Sequence, residues 1–189
     1  MAKLVYAMIT SLDGYAASKA DDEGRDGDGG AEDEEVHTFI GERFRDVGTY
    51  LYGRRIYETM LFWETVHLQP DVPPHILDFA RDWRAAEKVV YSTTLESASS
   101  ERTRIERRFD PDAVRRLKAD SPNDLTVNGP TLAAEAIRAG LVDEYHLFTT
   151  TSVVGRGIPF FPAEVRLDLE LVEQRVFGNG TIYAHYRPR

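Results

Sequence analysis

Four stretches of this 189-residue chain put small, hydroxyl-bearing or charged residues where a β-prone run stops, and together they could hold a phosphorylated ligand. In Asn128-Gly129-Pro130-Thr131 a glycine turn leads into Leu132, Ala133, Ala136 and Ile137 at helical spacing, and Pro130 suits a first helical turn. The free N–H groups and positive dipole end of such a helix would face whatever lies beside Gly129 and Thr131, a ready phosphate site. An ordinary turn glycine with a crossover helix accounts for the same residues. Gly53-Arg54-Arg55 repeats the arrangement with two guanidiniums, which meet phosphate through charge-assisted hydrogen bonds, although two surface arginines alone mean little. Ser92, Thr93 and Thr94 add hydroxyls at a third strand end. Asp13, in Ser11-Leu12-Asp13-Gly14-Tyr15, is a carboxylate at the end of an apolar strand, where open α/β sheets place their ligands. Its plainer role is an Asx turn that fixes the backbone.

Alternating elements are needed to bring such ends together. Lys3–Thr10 (KLVYAMIT) is a near-continuous apolar run suited to burial on both faces of a parallel sheet. TYLY at 49–52, KVVYS at 88–92, Leu125–Val127 and Glu144–Thr151 read as further strands. Val36, Phe39, Ile40, Phe44 and Val47 form one apolar helical stripe, and helices are also predicted over Ile56–Met60, Ile76–Ala86 and Asp110–Lys118. Residues 125–151 make a βαβ unit with Gly140 as a helix C-terminal cap and parallel strands. Residues 167–177 and 181–187 alternate around Gly178-Asn179-Gly180 as an antiparallel hairpin. Leu61–Pro74 is irregular and aromatic, with Phe62 and Trp63 more typical of core than of a substrate platform. The charged stretch 96–120 reads as a solvated face.

With 42% hydrophobic residues and no recognisable linker, one domain over 1–189 is expected. The formal net charge of −9 is local, because residues 21–35 hold nine acids against one arginine. The acidic, glycine-rich stretch 19–33 is expected to form a mobile loop at the mouth of the site. Asp22, Asp26, Asp28 and Asp33 imitate a calcium loop loosely, but Gly24 fills a ligand position and the terminal bidentate glutamate is missing. No basic aromatic patch suits nucleic acid, and no apolar run is long enough for a membrane span. Zero cysteines remove disulfides, thiolate metal sites and cysteine nucleophiles, and leave a cytoplasmic location as the default. The five histidines show no metal-ligand spacing, so no metal is expected.

In order along the chain, SLDGY, YLYGRRIYE, KVVYSTTL, VNGPTLAAEAIRAGLVDEYHLF, VVGRGIPFF and the terminal hairpin resemble the dihydrofolate reductase-like family that includes the riboflavin-pathway reductase domain. The resemblance spans nearly the whole chain. It implies an α/β fold with a mostly parallel central sheet flanked by helices and a C-terminal antiparallel hairpin, binding NADPH for hydride transfer to a small heterocyclic (pterin- or pyrimidine-like) or carbonyl substrate, in a homodimer. Carried over by motif, Gly53, Arg54 and Arg55 lie near the adenosine phosphates, Ser92 and Thr93 beside the 2'-phosphate, Gly129, Pro130 and Thr131 at the pyrophosphate, and Gly155 and Gly157 at the border of the site. The spacing from the acidic helix start to Gly53 is similar to that of a folate-reducing member, which nominates Glu35, then Glu34, as the carboxylate that orients or protonates substrate, with Asp13 as the other catalytic candidate. Ile56 and Thr93 depart from the family's GRxT and SRTL motifs, and Asn128 replaces a common glycine. Tyr15 stands where riboflavin-pathway members carry lysine, which weakens the case for a phosphorylated ribosyl pyrimidine. A non-catalytic nucleotide-binding or interaction module on the same fold is the alternative.

Overall fold

The computed structural model describes residues 1–17 and 33–189. Residues 19–32 of the loop expected at 19–33 therefore lie outside the described residues, and Asp33 is the N-cap of the helix that starts at Glu34. The chain runs β1 (Leu4–Thr10), β2 (Tyr15–Ala17), α1 (Glu34–Arg43), β3 (Val47–Gly53), α2 (Arg54–Met60), α3 (Phe62–Thr65), α4 (Pro74–Ala85), β4 (Glu87–Tyr91), β5 (Thr103–Glu106), α5 (Pro111–Asp120), β6 (Asp124–Asn128), α6 (Pro130–Arg138), β7 (Glu144–Thr149), β8 (Ile158–Pro159), β9 (Leu169–Val176) and β10 (Ile182–Pro188). Eight strands form one sheet in the order β5-β4-β3-β6-β1-β7-β10-β9. From β5 to β7 all neighbours are parallel, and β10 and β9 close the far side as the expected antiparallel pair.

The apolar run of β1 explains its place in the middle. Leu4 and Tyr6 are fully buried, with Leu4 opposite Leu125 on one side and Tyr6 opposite Tyr145 on the other. The strands predicted for the 125–151 unit are parallel as expected, but they are not neighbours: β1 separates them. A run apolar on both faces gains most from being enclosed, and this arrangement encloses it. On one face α5 and α6 pack Val114, Ala133, Ala136 and Ile137 against Tyr6, Val127 and Tyr145. The other face carries two clusters, Trp83 of α4 with Tyr52 and Val90, and Val36 of α1 with Phe148 and Tyr183. The buried Trp83 indole N–H donates to the Tyr52 hydroxyl at 2.9 Å, which satisfies both polar ends.

One stretch differs from the sequence reading. Within 96–120, Thr103–Glu106 is not merely a solvated face but the outermost strand, β5, beside β4. Its half-buried Thr103 and Ile105 alternate with exposed Arg104 and Glu106, and charges on an edge strand keep it from pairing further. Two such apolar positions are too few to stand out amid charge. The short antiparallel pair of β2 with β8 was likewise not anticipated, and it holds the loop after β1 against the Gly155–Gly157 loop.

Candidate functional site at the carboxyl edge of the sheet

Because β4, β3, β6, β1 and β7 are parallel neighbours, their C-terminal ends fall in one row. Ser92, Gly53, Gly129 and Asp13 thus follow one another along a single edge, the ends of β4 and β1 lying three strand spacings of about 4.8 Å apart. The four stretches singled out by residue type are brought together.

At the centre of the row, Gly129 caps α6 with φ 92°, and a Cβ added there would stand 3.3 Å from Ile56 Cγ2. Only glycine adopts that backbone readily, and it turns the first N–H groups of α6, at Thr131 and Leu132, out along the edge. Thr131 is exposed. Ile56, the departure from the family pattern, packs on Gly129 and ties the second loop to the third. Asn128 keeps ordinary strand geometry and donates from Nδ2 to Thr126 Oγ1 at 2.9 Å, so the lost glycine strains nothing there.

Gly53 opens α2 with no side-chain cap, which leaves the first turn of Arg54 and Arg55 at the edge. The Arg54 guanidinium donates to Glu58 Oε1 at 2.7 Å and to Thr94 Oγ1 at 2.8 Å, so it leans over the turn after β4. Ser92 builds that turn: its buried Oγ accepts from the N–H groups of Thr94 and Leu95, while Thr93 is left exposed. Arg107 closes the corner from below, donating to the carbonyls of Ser92 and Leu95. It was missed in the sequence because its position depends on β5.

At the other end of the row, Asp13 accepts from the N–H of Val154 at 3.2 Å and of Gly155 at 2.7 Å. Gly155 adopts φ 70° and Gly157 φ 149°, conformations that let the loop curl onto the carboxylate. The Ser11 hydroxyl and then these two N–H groups hold the Asp13 carboxyl below its usual range. Glu35 reaches the same edge by another route. Its Oε2 accepts from Gly178 N–H at 3.0 Å, in the β9–β10 turn, and its Oε1 from Arg175 at 2.7 Å. The Gly178 N–H first, then Arg175, hold Glu35 below its usual range. Arg175, also missed in the sequence, lies 5.1 Å over the Phe39 ring and 4.8 Å over Phe177, and an open cavity of about 540 Å³ lies between it and Glu34, Glu35, Thr38 and Glu42. Both carboxylates are ionised acceptors that join loops. Such groups orient a partner well and donate a proton poorly.

Residues 2–183 match the model of the RibD C-terminal domain family. The chain belongs to that family. Among curated relatives it is 26% identical over 142 residues to the uncharacterized protein YyaP of Bacillus subtilis, covering 74% of this chain and 73% of that protein. A putative riboflavin biosynthesis protein from Shewanella sp. PV-4 superposes over 100% of this chain and 99% of its own, with a TM-score of 0.68 at 20% identity. A pyrimidine reductase-like protein from Corynebacterium diphtheriae gives the same TM-score at 16% identity, over 100% of this chain and 92% of its own. At such identities these two structures establish a shared fold. No helix among the described residues is long and apolar enough to cross a membrane.

Proposed function

We propose that this protein is an NADPH-dependent reductase that transfers a hydride to a small pterin- or pyrimidine-like heterocycle or to a carbonyl carbon. The observation that carries the reading is the row of two helix N-termini, at Gly53 and Gly129, flanked by the Arg54–Thr94 corner. The residues present fit a dinucleotide. The glycines at 53 and 129 would let its phosphates approach the chain's backbone, the N–H groups at Thr131 and Leu132 would hold the pyrophosphate, and Arg54, Arg55 and Thr93 would hold the 2'-phosphate. When bound, NADPH would supply the hydride.

In this reading Asp13 fixes the Gly155 loop beside the site, and Glu35 would orient substrate from the hairpin side. Neither supplies the proton from its present hydrogen bonds, so a water molecule at the open edge delivers it. The proposal includes a cytoplasmic homodimer. β9 ends the sheet with Leu171, Val172 and Val176 exposed, a surface that a second copy would cover.

The test is NADPH oxidation against a panel of pterins, pyrimidines and dicarbonyls, with direct titration of NADPH and NADH alongside. Turnover of at least one class supports the reductase reading. Binding without turnover favours a nucleotide-binding module on the same fold, and no binding of either nucleotide overturns both.

A further inference from the structure

At the opposite, amino edge of the sheet, β7 and β10 bring three ligand-type side chains onto the face covered by α1. Glu144 and His146 are two residues apart on β7 and point the same way, and His185 is the direct antiparallel partner of His146. His146 Nε2 lies 3.3 Å and His185 Nε2 3.5 Å from the same oxygen, Glu144 Oε2, and one ligand atom from each of the three lies within 4.8 Å of the others. His146 is 1% and His185 4% exposed. Among the described residues His185 Nε2 has no hydrogen-bond partner, although it is buried and aimed at the carboxylate. Native interiors rarely leave such a nitrogen orphaned.

We propose that Glu144, His146 and His185 form a binding site for a divalent first-row transition ion of the Zn²⁺ type. Bonds of about 2.0–2.1 Å in a tetrahedral site separate ligand atoms by roughly 3.3–3.4 Å, which the two nitrogen-to-oxygen distances already approach. The set of two imidazoles and a carboxylate suits zinc, nickel or copper rather than calcium, and leaves a fourth position for water. The Tyr183 hydroxyl, 2.8 Å from His146 Nδ1, is the outer partner that turns Nε2 inward.

Two cations also face the cluster. Lys3 Nζ lies 2.6 Å from Glu144 Oε1, the oxygen turned away from the histidines, and its half-exposed side chain has no need to move. Arg43 is a competitor. Its Nη2 lies 3.1 Å from His185 Nδ1, yet an imidazole that ligates through Nε2 must carry its proton on Nδ1. Arg43 already has an alternative partner in Glu173 Oε2 at 3.2 Å, opposite His185 in the β9 pairing, so loading shifts it there. The two rings are stacked at 4.2 Å and 14°, so loading also tilts one of them toward the ion.

The test uses the full-length protein treated with a chelator and then titrated with Zn²⁺ and Co²⁺. Wild type is expected to bind one ion per chain, to show the visible absorption of four-coordinate cobalt, and to gain thermal stability that EDTA reverses. His185→Phe keeps a stacked ring but offers no ligand, and Glu144→Gln keeps the shape without the charge; each is expected to weaken binding at least tenfold. His67→Ala, an exposed histidine elsewhere, is expected to change nothing. Arg43→Gln removes the competitor and is expected to tighten binding several-fold, a gain that a merely structural cluster would not show. No one-to-one binding by wild type, undiminished binding by His185→Phe and Glu144→Gln, or weaker binding by Arg43→Gln would each overturn the site.

Discussion

The two edges of the sheet treat their charged groups in opposite ways. Outside the Glu144–His146–His185 cluster, the charges at the amino edge are turned inward and used up by the chain itself. Buried Lys88 donates from Nζ to the carbonyls of Trp83 at 3.0 Å and Ala86 at 2.9 Å, capping the C-terminal end of α4, and lies 4.3 Å over the Trp83 ring. Lys118 donates in the same way to Leu141 O and Asp143 Oδ2, and that carboxylate also takes the N–H of Leu4. At the carboxyl edge, Arg54, Arg55, Thr93 and Thr131 are exposed, and helix N-termini are left without side-chain caps. A parallel sheet supplies both edges with equivalent strand ends. What separates a binding edge from a structural one is whether its charged groups are buried against fixed partners, as Lys88 and Lys118 are, or stay at the surface, as Arg54 does beside Glu58 and Thr94.

The largest expected effect tests the structural edge. Replacing Lys88 by Met keeps the chain length but leaves the α4 carbonyls without their donor, and should destabilise the fold by about 3 kcal/mol, since hydrogen bonds to a charged group contribute ~1.5–3 kcal/mol and the carbonyls stay buried. Urea denaturation measures it. NADPH affinity of the folded fraction should stay within a few-fold, and a large loss of affinity would mean that the edges are coupled.

Arg54→Ala tests the other edge and should do the reverse. Stability should change by less than about 0.5 kcal/mol, as for an exposed side chain. NADPH should bind one to two decades more weakly, on the order of 1.5–3 kcal/mol, while NADH stays within a few-fold. The gap should shrink with added salt, because exposed charges are screened over about 10 Å at 0.1 M. Equal losses for both nucleotides would place Arg54 at the pyrophosphate or in the scaffold.

Gly129→Ala sharpens the same edge without touching charge. A side chain at φ 92°, with Ile56 Cγ2 3.3 Å from its Cβ, should cost roughly 1–2 kcal/mol of stability and weaken NADPH and NADH alike. Isothermal titration with both nucleotides separates this uniform loss from the selective one at Arg54.

How far these edges are legible in the sequence depends on how local their signals are. The end of β1, the Gly53 and Gly129 turns and the terminal hairpin are set by residues within a few positions, and the parallel order follows from the apolar runs. The amino edge is not local. His146 and His185 become neighbours only through the register of β7 with β10, and no spacing along the chain reveals it. Arg107 and Arg175 are not legible for a related reason, since Arg107 depends on the β4–β5 pairing and Arg175 reaches from β9 to Glu35 on α1. Glu35 was nominated as a carboxylate near the site, but what engages it, Gly178, is 143 residues away.

Glu35 is therefore where the comparison can be broken, because it lies at the binding edge yet already has partners of the structural kind. The Gly178 N–H and Arg175 depress its folded-state pKa below the ordinary 4.5. A carboxyl depressed in this way stabilises the fold above about pH 4.5, and that contribution disappears as the pH falls toward the lowered value. Asp13 has the same sign, so the informative quantity is the difference between wild type and Glu35→Gln rather than either curve. That difference in thermal midpoint should be present at neutral pH, begin to shrink below about pH 4.5 and vanish only as the pH falls through the lowered folded value. Turnover, measured on the same samples, decides the role. A latch that only aligns the hairpin should lose less than about tenfold, whereas a group that gives up its proton in the reaction should lose roughly two to four decades. A pH-independent midpoint difference would mean that Glu35 is not held as a carboxylate by the hairpin.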